Sequence, residues 1–371
     1  MPAAPRPSDP ADRAGAILTI DLDAVAANYR RLREELKGAP CAAVVKADAY
    51  GLGLSRVAPA LWGAGARKFF TAQLDEAIAL RAVLPEAEIH VLNGLMPGAE
   101  ADYLAYRLEP VLNSLEEIAR YRSLARDKPL PAILHVDTGM NRLGLEGAEV
   151  DILAETPSLL EGIKVTSVMS HLACADTSEH SMNRDQLRRF RDSLDRLPAA
   201  PRSFANSPGI FLGPDFHFDF GRPGSALYGV NPTPGKPNPM RQVIRLQGKI
   251  LQVRAIDASE SVGYGAAFRA KAPSRIATIA VGYADGYLRS VSHGTQAWVG
   301  GHEANVVGRI SMDLVTLDVS GLPESLSRPG ALVDLIGPEH CVDKLAERAG
   351  TIGYEILTSL GGRYHRVYRG R

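Results

Sequence analysis

Lys46 leaves the apolar run Ala43-Val44-Val45 and opens the segment Ala47-Asp48-Ala49-Tyr50-Gly51-Leu52-Gly53. Burial at such a place lowers the pKa of an amine and lets it add to a carbonyl as a Schiff base. Taken alone, a strand-end lysine is more often a solvated charge with its stem laid along the surface, so the case rests on its company. Arg142 lies in Asp137-Thr138-Gly139-Met140-Asn141-Arg142-Leu143-Gly144, where a guanidinium between glycines can hold a carboxylate or a phenol, or simply face water. Asn206-Ser207 and Gly224-Ser225 can offer hydroxyls and bare backbone N–H groups to a phosphate, or be turns. Arg222 sits between Gly221 and Pro223, either as a site cation or as a strand-end charge paired with Asp219. His171 follows an apolar run and fits a core histidine equally well. Tyr264 stands between Gly263 and Gly265; spacing alone favours a half-buried turn tyrosine, with a phenol projecting into a cleft as the alternative.

What must position these residues is a series of short β-rich runs, at 41–46, 68–71, 88–92, 109–112, 132–137, 164–170, 202–206 and 216–222, separated by amphipathic stretches of helix length. The clearest helices span 23–36, 74–83, 115–124 and 182–197, with Val25, Tyr29 and Leu32 on one face of the first. Eight strands alternating with helices predict an α/β fold, a TIM-type (β/α)8 barrel. Lys46, residues 137–142, His171, Asn206-Ser207 and the stretch 222–225 then fall at strand carboxyl ends, the face on which barrels build their sites. The run Pro232-Thr233-Pro234-Gly235-Lys236-Pro237-Asn238-Pro239 reads as a linker. Beyond it, alternating runs at 243–255, 275–281, 304–310 and 314–319, with one helix near 342–348, predict a mainly β domain. The expected organisation is a disordered tail over 1–16, the barrel over 17–235 and the β domain over 236–371.

With 371 residues, 45% of them hydrophobic, the chain can bury a core in each of two domains. Its 42 basic and 42 acidic residues cancel, so no field favours nucleic acid or an anionic membrane, and small-molecule chemistry is the expectation. Cys41, Cys174 and Cys341 are too few and too scattered for a disulfide framework or a zinc cluster, which points to a reducing compartment and no metal. The first fifteen residues hold proline, alanine and charge without an apolar stretch, and no later run approaches the ~20 apolar residues that span a bilayer. A cytoplasmic location is expected.

The segments 44–53 and 137–144, Arg222-Pro223-Gly224 with Leu227-Tyr228-Gly229, Gly263-Tyr264-Gly265, Gly282-Tyr283-Ala284-Asp285-Gly286 and Met312-Asp313 resemble those of the alanine racemases, in the family's order. The match runs from about Ile17 to Tyr368, and six ordered segments are far more specific than a lone motif. The resemblance implies a barrel that binds pyridoxal 5′-phosphate (PLP), followed by a β domain, in a head-to-tail homodimer with shared active sites. It implies interconversion of L- and D-alanine by two bases, supplying D-alanine for peptidoglycan. In that scheme Lys46 carries the cofactor and is one catalytic base, and Tyr264 of the other subunit is the base on the opposite face. Arg222 bonds the ring nitrogen, while Tyr50, Ser207, Gly224, Ser225 and Tyr354 surround the phosphate. His171 and Asn206 lie behind the arginine and the cofactor. Arg142 and the Met312 N–H take the substrate carboxylate, Asp313 accompanies Met312, and Tyr283 lines the entryway. Arg142 beside Tyr264 also favours the phenolate.

Two positions depart from the family. His135 stands seven residues before Arg142, where many relatives carry a lysine, often carbamylated; a direct hydrogen bond from His135, or a bound anion, is expected to orient Arg142 instead. Ser203 stands three residues before Asn206, where many relatives carry a histidine. A PLP-dependent decarboxylase of the same plan calls for an acidic partner at the ring nitrogen, where this chain has Arg222. A non-catalytic PLP carrier built on the barrel alone leaves Tyr264 and the last ~130 residues unexplained. A serine or broader-range racemase stays open, since a methyl against a hydroxymethyl is worth only ~1–3 kcal/mol in a pocket.

Overall fold

Runs of β-branched, aromatic and small apolar residues become parallel strands where helices cover one face and a barrel interior takes the other. The computed structural model describes residues 9–292 and 294–370, which divide into two compact units, Ala24–Arg241, and Met1–Asp23 with Gln242–Arg371. The first strand of the chain, β1 (Ala16–Asp21), belongs to the second unit. In the first unit β2 (Ala43–Val44), β3 (Lys68–Thr71), β4 (Glu88–Val91), β5 (Glu109–Leu112), β6 (Leu130–His135), β7 (Ile163–Met169) and β8 (Arg202–Ser203) pair in sequence order, all parallel. This is the expected TIM-like barrel, with the helices Leu54–Gly63, Leu74–Val83, Glu100–Ala105, Leu115–Arg122, Gly147–Glu155 and Ser181–Leu194 between strands. Ala42, Val44, Phe70, Val111, Ile133, Met169 and Phe220 fill its centre.

The eighth expected strand, at 216–222, does not form. Phe216 ends a 3-10 turn, Phe218 takes a positive φ of 50°, and Pro223 has no N–H to give to a ladder. Residues 219–223 still close the ring. Asp219 and Arg222 donate backbone N–H groups to the carbonyls of Arg202 (3.0 Å) and Ala205 (2.8 Å), and the carbonyls of Gly221 and Pro223 accept from Ala42 (2.8 Å) and Val44 (3.0 Å).

Near the strand starts the interior turns polar. Glu109 on β5 lies 3.5 Å from His90 on β4 and accepts a hydrogen bond from the Thr166 hydroxyl. Burial pushes the Glu109 carboxyl up to about 7 against the pull of Lys68, and pushes the His90 imidazole down to about 3. His90 is therefore neutral, and the two are not an ion pair. A carboxyl whose pKa rises on folding stabilises the fold fully below its unfolded value of 4.5, and that contribution is lost as pH climbs through about 7. We expect this group to remove up to about 3 kcal/mol of unfolding free energy over that window. Denaturant titrations at about pH 5 and about pH 8 measure it; Glu109→Gln should flatten the difference, and an unchanged difference would refute the assignment.

The second unit holds β1, β9 (Ile244–Ile256), the hairpin β10 (Ser261–Val262) and β11 (Phe268–Arg269), then β12 (Ser274–Ile279), β13 (Gln296–Val299), β14 (His302–Val306), β15 (Val315–Asp318), β16 (Leu332–Ile336) and β17 (His365–Arg369). The sheet runs β12-β15-β14-β13-β16-β9-β1-β17, and a further β12–β9 pairing closes six of these strands into a ring. Two late helices form, Val342–Ala349 and Gly353–Ser359, where the sequence pattern predicts one.

The expected domain limits move at both ends. Residues 17–23 leave the barrel for the β unit, because β1 pairs antiparallel with β9 and parallel with β17. At the linker the boundary falls after Arg241 rather than at 235, since the Asn28 amide grips the backbone of Arg241 by both its N–H (2.7 Å) and its carbonyl (2.9 Å). The tail expected over 1–16 lies outside the described residues for 1–8. From Asp9 onward it is structured: Pro10–Arg13 forms a helical turn, and the Lys249 amine donates to the carbonyls of Ala11 (2.6 Å) and Asp12 (2.9 Å).

Candidate active site

β2 delivers Lys46 into a left-handed turn. Ala47, Asp48, Ala49 and Tyr50 have φ of 53°, 52°, 55° and 56°. Each such L-residue costs ~1–2 kcal/mol, so the turn persists only where its surroundings over-determine it. The Glu76 carboxylate accepts from the Ala47 N–H (2.6 Å) and from those of Ala72 (2.9 Å) and Gln73 (3.1 Å). Asp48 accepts from the Leu54 N–H (2.6 Å), and the Tyr50 ring stacks at 4.6 Å on Tyr228, whose hydroxyl donates to the Val44 carbonyl. Burial lowers the Lys46 amine, Arg142 lowers it further, and Glu76 opposes both. The sequence marks this segment only by its glycines and passes over Glu76, whose signal was the capping box with Gln73 that starts the helix Leu74–Val83.

Arg222 is 4% exposed. It donates to the Ser170 carbonyl (2.5 Å) and to the Ser203 hydroxyl, which passes its own proton to the Phe220 carbonyl (2.7 Å). Asp219 pairs with Arg202 at 2.8 Å and not with Arg222, so the surface-charge reading of Arg222 falls. Burial pulls the guanidinium below its usual value; starting above ~12, it stays charged. Nearby, the Ser207 hydroxyl accepts from the N–H groups of Gly224 (2.9 Å) and Ala226 (3.2 Å). A Cβ at Gly224 would collide with the Tyr50 hydroxyl, so only glycine allows Tyr50, Ser207 and Gly224 to pack together, with Ser225 next in the chain. Asn206 donates to the Leu172 carbonyl (3.3 Å) and accepts from the Gly209 N–H (3.0 Å), tying the loops after β7 and β8.

His171 shows which groups meet. Its pKa is driven well down, first by burial and then by Arg222, Arg142, His135 and Lys46. These groups lie at or after the ends of β2 and β6 and on the closing segment, and hydrogen bonds tie the same ends together: Arg222 to the Ser170 carbonyl beside His171 (2.5 Å), and the Val44 N–H to the Pro223 carbonyl (3.0 Å).

The direct bond expected from His135 to Arg142 is not formed. The Asn113 amide donates to the Val111 carbonyl (2.8 Å), which leaves its Oδ1 to face His135 Nδ1 at 2.8 Å. Nδ1 must then donate, and Nε2 of the neutral ring is an acceptor. Burial, then Arg222, bring His135 down to about 3, with Asp137 opposing and Arg142 adding. Asp137 instead shapes the Arg142 loop, its carboxylate accepting from the N–H groups of Gly139 (2.8 Å), Met140 (2.9 Å) and Asn141 (3.2 Å). Nitrogen-15 NMR is expected to find His135 neutral and protonated at Nδ1 from about pH 5 to about pH 9; a ring titrating near ~6.5 would break this assignment.

In the β unit, Gly263 and Gly265 flank Tyr264 with φ of 76° and 68°, and a Cβ on either would press on Arg309. The bare turn leaves Tyr264 70% exposed, contrary to the half-buried tyrosine that spacing favours. The adjoining segments are bonded together. The Tyr283 N–H donates to the Ser311 carbonyl (3.1 Å) and the Ala284 N–H to that of Met312 (2.9 Å), while Arg363 bridges Asp285 (2.9 Å) and Asp313 (2.8 Å). Tyr283, Met312 and Tyr354 are exposed.

Fold and site together define a barrel enzyme with an appended β unit, carrying an amine, a buried guanidinium and a hydroxyl-lined glycine cradle at the strand carboxyl ends. Residues 20–232 match the family described as "Alanine racemase, N-terminal domain" and residues 243–368 that described as "Alanine racemase, C-terminal domain". The alanine racemase of Rhodospirillum rubrum is 53% identical over 363 residues, 97% of each chain. The catabolic alanine racemase of Mesorhizobium japonicum is 51% identical over 360 residues, 96% of this chain and 94% of its own. Among solved structures, alanine racemase from Bartonella henselae with covalently bound pyridoxal phosphate matches with a TM-score of 0.93 at 44% identity, over 96% of this chain and 100% of that one. The chain belongs to the alanine racemase family.

Proposed function

We propose that the chain interconverts L- and D-alanine with PLP, using Lys46 and Tyr264 as opposed bases. The observation that carries this reading is the gathering of Lys46, the Arg142 loop and buried Arg222 at the barrel's strand ends, where Arg222 bonds the Ser170 carbonyl beside His171 and all three charges bear on that imidazole. The residues fit the cofactor: a lowered amine for its aldehyde, a permanent buried donor in Arg222 for its pyridine nitrogen, and Tyr50, Ser207, Gly224 and Ser225 for its phosphate, to which the family resemblance adds Tyr354. When bound, PLP withdraws electrons and so acidifies the substrate Cα–H.

Inversion needs a proton removed on one face and returned on the other. Lys46 Nζ serves one face, and Tyr264 Oη the opposite one. Arg142 and the Met312 N–H hold the carboxylate, with Asp313 beside Met312 and Tyr283 at the entryway. His171 and Asn206 brace the arginine and the cofactor pocket. Arg222, which does not release its proton, would donate to the cofactor's ring nitrogen without protonating it and so limit side reactions. Tyr264 is supplied by a second copy of the chain in a head-to-tail homodimer, a reading its high exposure supports.

Chiral chromatography of the products from L-alanine, L-serine and basic L-amino acids tests the reaction. D-Alanine formed fastest supports it, and carbon dioxide without a D-product overturns it. We assign the activity to D-alanine supply for peptidoglycan; a deletion strain that grows without D-alanine would favour the catabolic role named for the Mesorhizobium relative. Three free cysteines support a cytoplasmic setting.

A further inference from the structure

The helix Ser181–Leu194 turns Met182, Gln186 and Arg189 toward the loop that follows β6. Spacings of four and three put these side chains on one stripe. Gln186 is fully buried, with both amide protons and its oxygen hydrogen-bonded. Nε2 donates to the His171 carbonyl (2.9 Å) and to the Thr138 hydroxyl (3.0 Å), and Oε1 accepts from the Ala173 N–H (2.9 Å). A carbonyl and an N–H two residues apart are the groups that a neighbouring strand bonds, so this side chain takes a strand's place where the ladder of β7 has ended. The Thr138 hydroxyl, which accepts from Gln186, shares a second hydrogen bond with Ser170 Oγ (2.8 Å), and the Ser170 carbonyl is one of two acceptors that hold Arg222. Arg189 adds a bond to the Thr138 carbonyl (3.2 Å), and with Met182 it lies against Gly139.

We propose that Gln186 is a positioning residue, whose one amide registers the Arg142 loop, the His171 loop and the carbonyl holding Arg222 as a single unit. The inference rests on the assignment of Arg142 to the substrate carboxylate and Arg222 to the cofactor. Only glutamine supplies two donors and an acceptor at this reach. Glutamate has no proton to give when ionised, asparagine is one methylene short, and leucine fills the volume without bonding.

The test uses the PLP-loaded enzyme. Gln186→Leu should raise KM for L-alanine about tenfold, more than it lowers kcat, and should speed amide exchange at Ala173 and at Gly139 to Asn141. Gln186→Glu should be poor at high pH and recover relative to wild type as pH falls, because the protonated acid regains one donor. Thr138→Val, which removes one of the three Gln186 bonds together with the bond to Ser170, should show the same KM shift to a smaller degree and combine with Gln186→Leu less than additively. A Leu variant with KM and exchange at wild-type values overturns the proposal, as does a Glu variant whose deficit is the same at every pH. If the Leu variant does not fold, the Thr138→Val KM and the Glu pH profile decide alone. Should the wild-type enzyme not racemise alanine, the site reading fails, while the exchange data still judge Gln186.

Discussion

Lys46→Ala is expected to lower racemisation about 10⁴- to 10⁶-fold in both directions, the scale seen when a residue that bonds covalently to substrate or cofactor is removed. The expectation follows from the turn that presents it. Four left-handed residues, held by Glu76, Asp48 and the Tyr50–Tyr228 stack, fix the strand end from which the amine emerges. Burial and Arg142 both favour the uncharged amine, the form that adds to an aldehyde. Borohydride reduction followed by peptide mass analysis reads the attachment directly. Wild type should carry the cofactor mass on the Lys46 peptide, and the alanine variant should carry none there. A variant that keeps its activity, or an adduct at another lysine, removes Lys46 from the mechanism.

Tyr264→Phe removes the proposed second base and should cost about 10²- to 10⁴-fold, while leaving the Lys46 attachment intact. The two enantiomers are equal in free energy, so kcat/KM must fall equally in both directions. The two faces separate in a different measurement, solvent deuterium incorporation at Cα. The enantiomer whose proton faces Lys46 should still exchange without inverting, and its mirror image should not. The exposure of Tyr264 on its glycine-flanked turn suits a phenol that works against another chain. Equal exchange from both enantiomers at wild-type rates would end its assignment as a base. Mixing inactive Lys46→Ala chains with inactive Tyr264→Phe chains offers an independent check on sharing. Recovered activity requires both residues to meet across subunits, and none should return if each chain works alone.

The barrel and the strand-end placement of Lys46, Arg142, His171 and Ser207 were legible in the sequence, because burial on both faces and helix periodicity leave a one-dimensional trace; Arg222 lies on the closing segment instead of at the end of the expected eighth strand. The β unit was legible as alternation, but not its first strand. Ala16 to Asp21 alternate buried and half-buried, yet their partners in β9 and β17 lie more than two hundred residues away, and pairing over that distance leaves no local mark. The eighth strand failed for the converse reason: its residues suit a strand, and the backbone at Phe218 and Pro223 does not.

What the sequence by itself determined was chemical identity: an amine, two arginines, a tyrosine between glycines, and a glycine where only hydrogen fits. Tertiary structure alone decided their states. Lys46 is lowered, Arg222 is a buried cation without Asp219, and His135 faces Asn113 rather than Arg142. The supporting residues Glu76, Asn113 and Gln186 carry no motif, since an amide or carboxylate that bonds a distant backbone is defined by where that backbone is brought, and a linear chain does not record this.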